Sequence, residues 1–149
     1  MFATIVVGTD GSNDSEEALR AAAHLAQLTG GSQVHVVNAH RPLTPAELNR
    51  LAASLPDEMR PLLHAQIGSE SILTEARTIL QGAGVDAEYH QVSDDPTDAI
   101  LQVVDEHGAD LVIVGSRGEG MAKRVIHGSV STKVLHHAPC AVLVVKADD

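Results

Sequence analysis

Tryptophan is absent from this chain, and Phe2 and Tyr89 are its only other large aromatic residues. Its core must therefore be built from Val, Leu, Ile and Ala. Single-stranded nucleic-acid modules stack bases on aromatic platforms, so that class is disfavoured. A single cysteine, Cys140, excludes an internal disulfide and fits a reducing compartment. Positive charge is scarce: ten Lys and Arg face twenty Asp and Glu, a net charge of −10. Such a chain is a poor ligand for a phosphate backbone. Long apolar runs are missing too. The longest strongly apolar run is Cys140–Val145, whereas a membrane helix needs about 20 residues. The first residues, MFATIVVGTDGS, show no basic segment followed by a long apolar one, so no secretory signal is visible. These absences predict a cytoplasmic protein with no membrane and no nucleic acid among its partners. At about 150 residues per domain, the 149 residues predict one domain.

What is present is alternation. Phe2–Thr9 is a short β-branched run that suits a strand buried on both faces. Asp10–Ser15 (DGSNDS) is turn and cap chemistry, and Asn13 and Glu16 have the spacing of a capping box. A helix follows, with Ala18, Leu19, Ala22, Leu25 and Ala26 on one face, stopped by Gly30-Gly31. Gln33–Ala39 reads as a second strand. Residues 40–60 are interrupted by Pro42, Pro45 and Pro56, with room for a short helix over 46–54. A longer helix is predicted over 62–81, ending at Gly82 and Gly84. Val85–Val92 alternates with polar residues, as a half-exposed edge strand does. Asp94-Asp95-Pro96 opens a helix running to about His107. Asp110–Gly115 is another buried strand, residues 115–138 a Gly-rich loop and then a helix, and Cys140–Val145 the last strand.

This order predicts an α/β domain: an open, twisted, five-stranded parallel sheet with helices on both faces and right-handed crossovers. Continuously apolar strands belong in the centre and the alternating third strand at an edge. Strand order 3-2-1-4-5 satisfies both. The winding reverses between strands 1 and 4, and ligands bind beyond the carboxyl ends of the strands at such a point.

Two segments leave those strands, Gly8–Ser12 and Gly115–Ser131. In the second, Gly115, Gly118 and Gly128 are spaced Gly-x2-Gly-x9-Gly, with Ser129 next. Glycines at 115, 118 and 120 let backbone N–H groups face a ligand without an intervening Cβ. Gly128-Ser129 restarts a helix, offering free N–H groups, a hydroxyl and the positive end of the dipole. The pattern suits phosphates. Charge agrees: residues 111–147 hold Arg117, Lys123, Arg124, Lys133 and Lys146 against Glu119 alone.

With these residues in hand, the chain resembles the nucleotide-binding subgroup of the universal stress proteins over essentially its whole length. The likeness lies in the opening strand with Thr9-Asp10-Gly11-Ser12, the Gly-x2-Gly-x9-Gly-Ser pattern, and the closing apolar strand after Pro139. It implies a five-stranded α/β fold, ATP bound at the switch point, and a homodimer. On the matching positions, Gly8, Thr9 and Asp10 face the adenosine and the backbone of Ala39 contacts adenine. Gly115, Ser116, Arg117, Gly118, Glu119, Gly120 and Met121 wrap the ribose and phosphates. Gly128, Ser129, Val130 and Ser131 close the site. Two positions depart from the pattern. Glu119 sets a carboxylate beside the phosphates, which costs affinity unless Mg²⁺ or Mn²⁺ or solvent screens it. Gly8 replaces a bulkier residue, a change expected to loosen the adenine pocket.

Each position also has a plainer use. Asp10 suits a cap on the first helix, Ser129 a cap on the last, and Arg117 a solvated loop cation. The nine histidines are scattered along the chain. His136 and His137 are adjacent and point to different helix faces, so they do not chelate as an i, i+4 pair does. His127 is a candidate for approaching a phosphate, and Cys140 reads as a packed thiol.

No Gly-x-Ser-x-Gly elbow, no P-loop and no Gly-x-Gly-x-x-Gly after strand 1 occurs. The 10–15 segment has some likeness to the loop of the ATP pyrophosphatases, but lacks its leading Ser and second Gly. No catalytic residue is assigned. The leading reading is an ATP-binding stress-response sensor whose occupancy modulates partner interactions. The alternatives are an ATP-using enzyme, either a slow metal-dependent ATPase or a pyrophosphatase-like transferase, and a structural dimer with an empty site. Assembly is predicted through Cys140–Val145. This edge strand carries no charge or Pro to blunt it, and pairing with its own copy about a two-fold axis hides the open edge.

Overall fold

Short apolar runs separated by well-capped helices assemble here into one sheet. The computed structural model describes residues 1–39, 44–58, 70–117 and 128–148. Among these the strands are β1 (Thr4–Gly8), β2 (Gln33–Ala39), β3 (Ala87–Val92), β4 (Leu111–Gly115) and β5 (Ala141–Val145). The helices are α1 (Asn13–Thr29), α2 (Pro45–Ser54), α3 (Glu70–Gly82), α4 (Pro96–His107) and α5 (Ser129–His137). All neighbouring strands are parallel and the order is β3-β2-β1-β4-β5, as predicted.

Alternate residues of the central strands feed two cores. Ile5, Val7, Val34, Val36, Leu111 and Ile113 pack with Ala18, Leu19 and Ala22 of α1 and with Ala76 and Leu80 of α3. Val6, Val37, Val112 and Val114 pack with Ile100, Val103 and Val104 of α4 and with Val134 of α5. Both faces of β1 and β4 are thus covered, which is why those strands contain no polar alternation. At the N-terminal end of the sheet, the Asp110 carboxylate accepts hydrogen bonds from Ala3 N and Thr4 N at 2.9 and 3.1 Å and ties β1 to the start of β4.

Several expectations shift. The cap of α1 is Ser12, not Asn13: its hydroxyl accepts from Ser15 N at 3.3 Å. Helix α2 begins at Pro45 because Thr44 and Glu47 form a full capping box. Strand β1 starts at Thr4. Strand β3 starts at Ala87, because Val85 N donates to Leu80 O at 2.9 Å in the turn after α3 and the Val85 side chain packs in the first core. The expected start of the third helix, over residues 62–69, lies outside the described residues. Strand β5 is not covered on both faces. Val142 and Val144 lie on the second core, whereas Ala141 and Leu143 are exposed. Nor are the histidines all scattered. The β2–β3 register places His35 opposite Glu88 and Val37 opposite His90, and His107 at the end of α4 stacks on His35.

Candidate functional site

The segment after β1 is held from three sides. Thr9 N donates to Val37 O at 2.9 Å, and Asn38 Nδ2 donates to Thr9 O at 2.8 Å. The hydroxyls of Thr9 and Ser15 lie 3.2 Å apart. Asp10 Oδ1 accepts from Ser12 N at 2.9 Å, and Gly11 takes φ 85°, a left-handed conformation that glycine adopts without penalty. Asp10 therefore shapes the turn while Ser12 caps the helix.

The segment after β4 is clamped by a residue that sequence patterning passed over. Asp14, in the first turn of α1, is buried. Its carboxylate accepts from Ser116 Oγ at 2.6 Å, Arg117 N at 3.0 Å and Ala147 N at 2.9 Å. The Arg117 guanidinium completes the set, with Nε 3.2 Å from Oδ2 and Nη2 3.3 Å from Oδ1. Burial by itself raises the pKa of Asp14; the hydrogen bonds from Arg117, Ser116 and Ala147, with the Arg117 charge, outweigh it and hold the carboxyl at about 2. One carboxylate thus joins the start of α1, the exit of β4 and the segment after β5.

Gly115 makes this approach possible. A Cβ there would lie 2.8 Å from the backbone carbon of Asp14 and 2.9 Å from Ser15 N. Glycine at 115 thus serves close packing of β4 against α1, a use distinct from presenting an N–H to a ligand. At the far end of the loop, Gly128 N donates to Ser116 O, and Ser131 Oγ donates to Gly128 O at 2.9 Å. Gly128 is the N-cap of α5 and supplies no side-chain cap, so the positive end of that helix meets the cleft uncapped by a side chain.

Between these parts lies a cleft of about 260 Å³ at the carboxyl ends of β1 and β4. Gly8, Thr9, Asp10, Ala39, Gly115, Arg117, Gly128, Ser129, Val130 and Ser131 line it. Ser116 does not: it is buried and turned to Asp14. Gly118, Glu119, Gly120 and Met121 lie outside the described residues, as do Lys123, Arg124 and His127. Residues that sequence reasoning missed supply an apolar wall, with Val37, Ile100 and Val114 among them, together with Pro96. The space left by the small residue at position 8 is not open. Ile100 fills it, its Cδ1 standing 2.7 Å from where a Cβ of residue 8 would sit. Arg117 is not a solvated cation; its side chain is largely buried against Asp14.

A cleft with an apolar wall, a serine-lined helix N-terminus and a parallel 3-2-1-4-5 sheet invites comparison with known proteins. The model of the universal stress protein family matches residues 1–146. The chain belongs to the universal stress protein family. Universal stress protein YxiE of Bacillus subtilis is 34% identical over 150 residues, covering 98% of this chain and all of that protein. A universal stress protein solved in complex with cAMP is 28% identical, with TM-score 0.70, covering 99% of this chain and 98% of that one. The universal stress protein of Archaeoglobus fulgidus, solved in complex with dAMP, is 26% identical with TM-score 0.67, covering 98% of each chain. Among its described residues this universal stress protein thus keeps the five-stranded fold of the family. The part of it that approaches the cleft through Asp14 and Arg117 is a side-chain clamp between segments far apart in sequence.

Proposed function

We propose that this protein binds an adenine nucleotide, ATP in the first instance, in the cleft beyond β1 and β4, and that occupancy modulates its contacts with partners in a stress response. The observation that carries this reading is the pairing, in one cleft, of an apolar wall with the uncapped N-terminus of α5. A flat, weakly polar base suits Val37, Ala39, Ile100 and Val114; an anion suits the N–H groups at the start of α5 and the hydroxyl of Ser129. The relatives solved with cAMP and dAMP support an adenine nucleotide as the ligand class.

In this reading Gly8, Thr9, Asp10 and Ala39 bound the nucleoside end. Gly115, with Gly118, Glu119, Gly120 and Met121, surrounds the ribose and phosphates, and Gly128, Ser129, Val130 and Ser131 close the anion end. Ser116 and Arg117 act as positioning residues, since Asp14 holds both. Mg²⁺ or Mn²⁺ enters with the nucleotide, held mainly by its phosphates and offsetting Glu119. A second copy of the chain pairs along β5, covering the exposed Leu143 and the open strand edge.

The experiment is direct. With one Tyr and no Trp, the protein is nearly transparent at long ultraviolet wavelengths. Purified protein should carry an adenine absorbance that appears in the supernatant after denaturation, or should take up ATP in titration calorimetry at one site per chain. An empty cleft at millimolar ATP would sink the reading.

A further inference from the structure

We propose that His35, His90 and His107, with Glu88, form a binding site for a divalent transition-metal ion of borderline softness, with Zn²⁺ the best fit. The site is separate from the nucleotide cleft. Four donor groups from β2, β3 and the last turn of α4 come together, each offering an atom within 4.8 Å of the others. His35 Nδ1 is 3.0 Å from His90 Nε2 and 3.5 Å from Glu88 Oε2, and His90 Nε2 is 3.9 Å from that same oxygen. Tetrahedral zinc with nitrogen ligands at about 2.0–2.1 Å places its donors roughly 3.3–3.4 Å apart. This triangle brackets that spacing before any ion has drawn it together.

The fourth donor is adjustable. His107 is half-exposed, closes α4 before Gly108, and stacks on His35 with ring centres 3.9 Å apart. Rotation about its own side-chain bonds turns a ring nitrogen toward the triangle. His35 is the fixed member. Its side chain is buried, its Nε2 has no hydrogen-bond partner among the described residues, and its polar contacts all lie on the Nδ1 side, within the cluster.

Chemistry favours this class of ion. Imidazole nitrogens suit Zn²⁺, Ni²⁺ and Cu²⁺, whereas Mg²⁺ and Ca²⁺ take oxygen ligands. A neutral imidazole keeps a lone pair to donate to the ion. Each ring then carries its single proton on the nitrogen facing away from the ion. Glu88, largely exposed, supplies the one negative charge. The site lies at the opposite end of α4 from Pro96 and Ile100, which line the cleft, and the two share no residue. A bound ion would tie α4 to β2 and the edge strand β3.

The test uses the full chain after chelator treatment, titrated with ZnCl₂ by calorimetry, with Co²⁺ as a spectroscopic probe. Expected are one saturable site per chain, a Co²⁺ spectrum of four-coordinate intensity, and a melting temperature raised by zinc. Loss of a direct ligand should weaken zinc binding by more than the ~10–100-fold that loss of an outer-shell partner costs. His107→Gln and His90→Gln should both do so, and His24→Gln, on the exposed side of α1, should not. Should His90→Gln fail to fold, the half-exposed His107→Gln decides alone. Absence of saturable zinc binding by the wild type, or unchanged affinity in His107→Gln, overturns the proposal.

Discussion

The Asp14 carboxylate and the Arg117 guanidinium meet at 3.2 Å although 103 positions separate them in the chain. Asp14 is 3% exposed and Arg117 12%, so the pair is shielded from solvent. A buried pair contributes only when its remaining hydrogen-bonding capacity is satisfied. Ser116 Oγ, Arg117 N and Ala147 N satisfy that of Asp14. The pair thereby fixes where the loop after β4 begins.

Acid should expose this clamp. The folded-state pKa of Asp14 is depressed from 3.8 to about 2. The stabilisation is therefore fully present above about pH 4 and is lost as pH falls toward 2; it is worth about 2 kcal/mol. Urea unfolding of wild type should weaken by about that amount across this window, beyond the loss shown by Asp14→Asn. The variant itself should be less stable near neutral pH by about 3 kcal/mol, because it removes the negative charge from a buried pair whose carboxylate accepts from Ser116, Arg117 and Ala147. Equal acid sensitivity in the two proteins would contradict the assignment.

Gly115→Ala should destabilise the fold by about 1–3 kcal/mol, since the new methyl group meets backbone atoms that have no means of moving aside. Its Cβ would sit 2.8 Å from a backbone carbon of Asp14. Gly31→Ala is the control, with nothing within 4 Å of the added atom. Thermal melts of the two variants should differ clearly; similar melting temperatures would count against close packing as the reason for glycine at 115.

Gly8→Ala tests the wall of the cleft. The added Cβ conflicts with Ile100 Cδ1 at 2.7 Å, the far end of a flexible side chain. Ile100 should swing rather than the sheet deform, and its new position narrows the cleft. ATP affinity should fall by about tenfold, equivalent to ~1.4 kcal/mol. Adding Ile100→Val removes the conflicting methyl group and should restore most of the binding. Calorimetry on the single and double variants gives the answer; no rescue in the double variant would place the effect elsewhere.

Leu143→Pro tests assembly. Leu143 is 39% exposed on the outermost strand β5. Pro removes one donor from the strand's open edge or from its ladder with β4. Light scattering should show a dimer for wild type and a monomer for the variant, with far-UV circular dichroism confirming that the variant folds. A wild-type monomer at micromolar concentration would refute pairing along β5.

Local chemistry wrote much of the outcome into the chain. The β-branched runs at 4–8 and 111–115 are buried on both faces and so are central. The polar alternation of Ala87–Val92 marks an edge. Asp95-Pro96 and Gly108 start and stop α4 where those residue types dictate. Strand order followed from these facts, and with it the meeting of Gly8–Asp10 with Gly115, Arg117 and Gly128–Ser131 around one cleft. Each of these signals depends on a residue and its near neighbours along the chain.

What only the tertiary structure decided are the contacts that depend on register and on packing between distant elements. Asp14 sits among ordinary polar cap residues in the sequence; it becomes a buried clamp because β4 and the segment after β5 end over the first turn of α1. Position 8 reads as a vacancy until Ile100, 92 residues later, is found to fill it. His35, His90 and His107 are spread along the chain, and only the parallel register of β2 with β3, together with the length of α4, brings them to one point. Periodicity records which face a side chain takes. It carries no record of which residue on another element will stand opposite, because that is settled by how far each strand slides along its neighbour and where each helix stops.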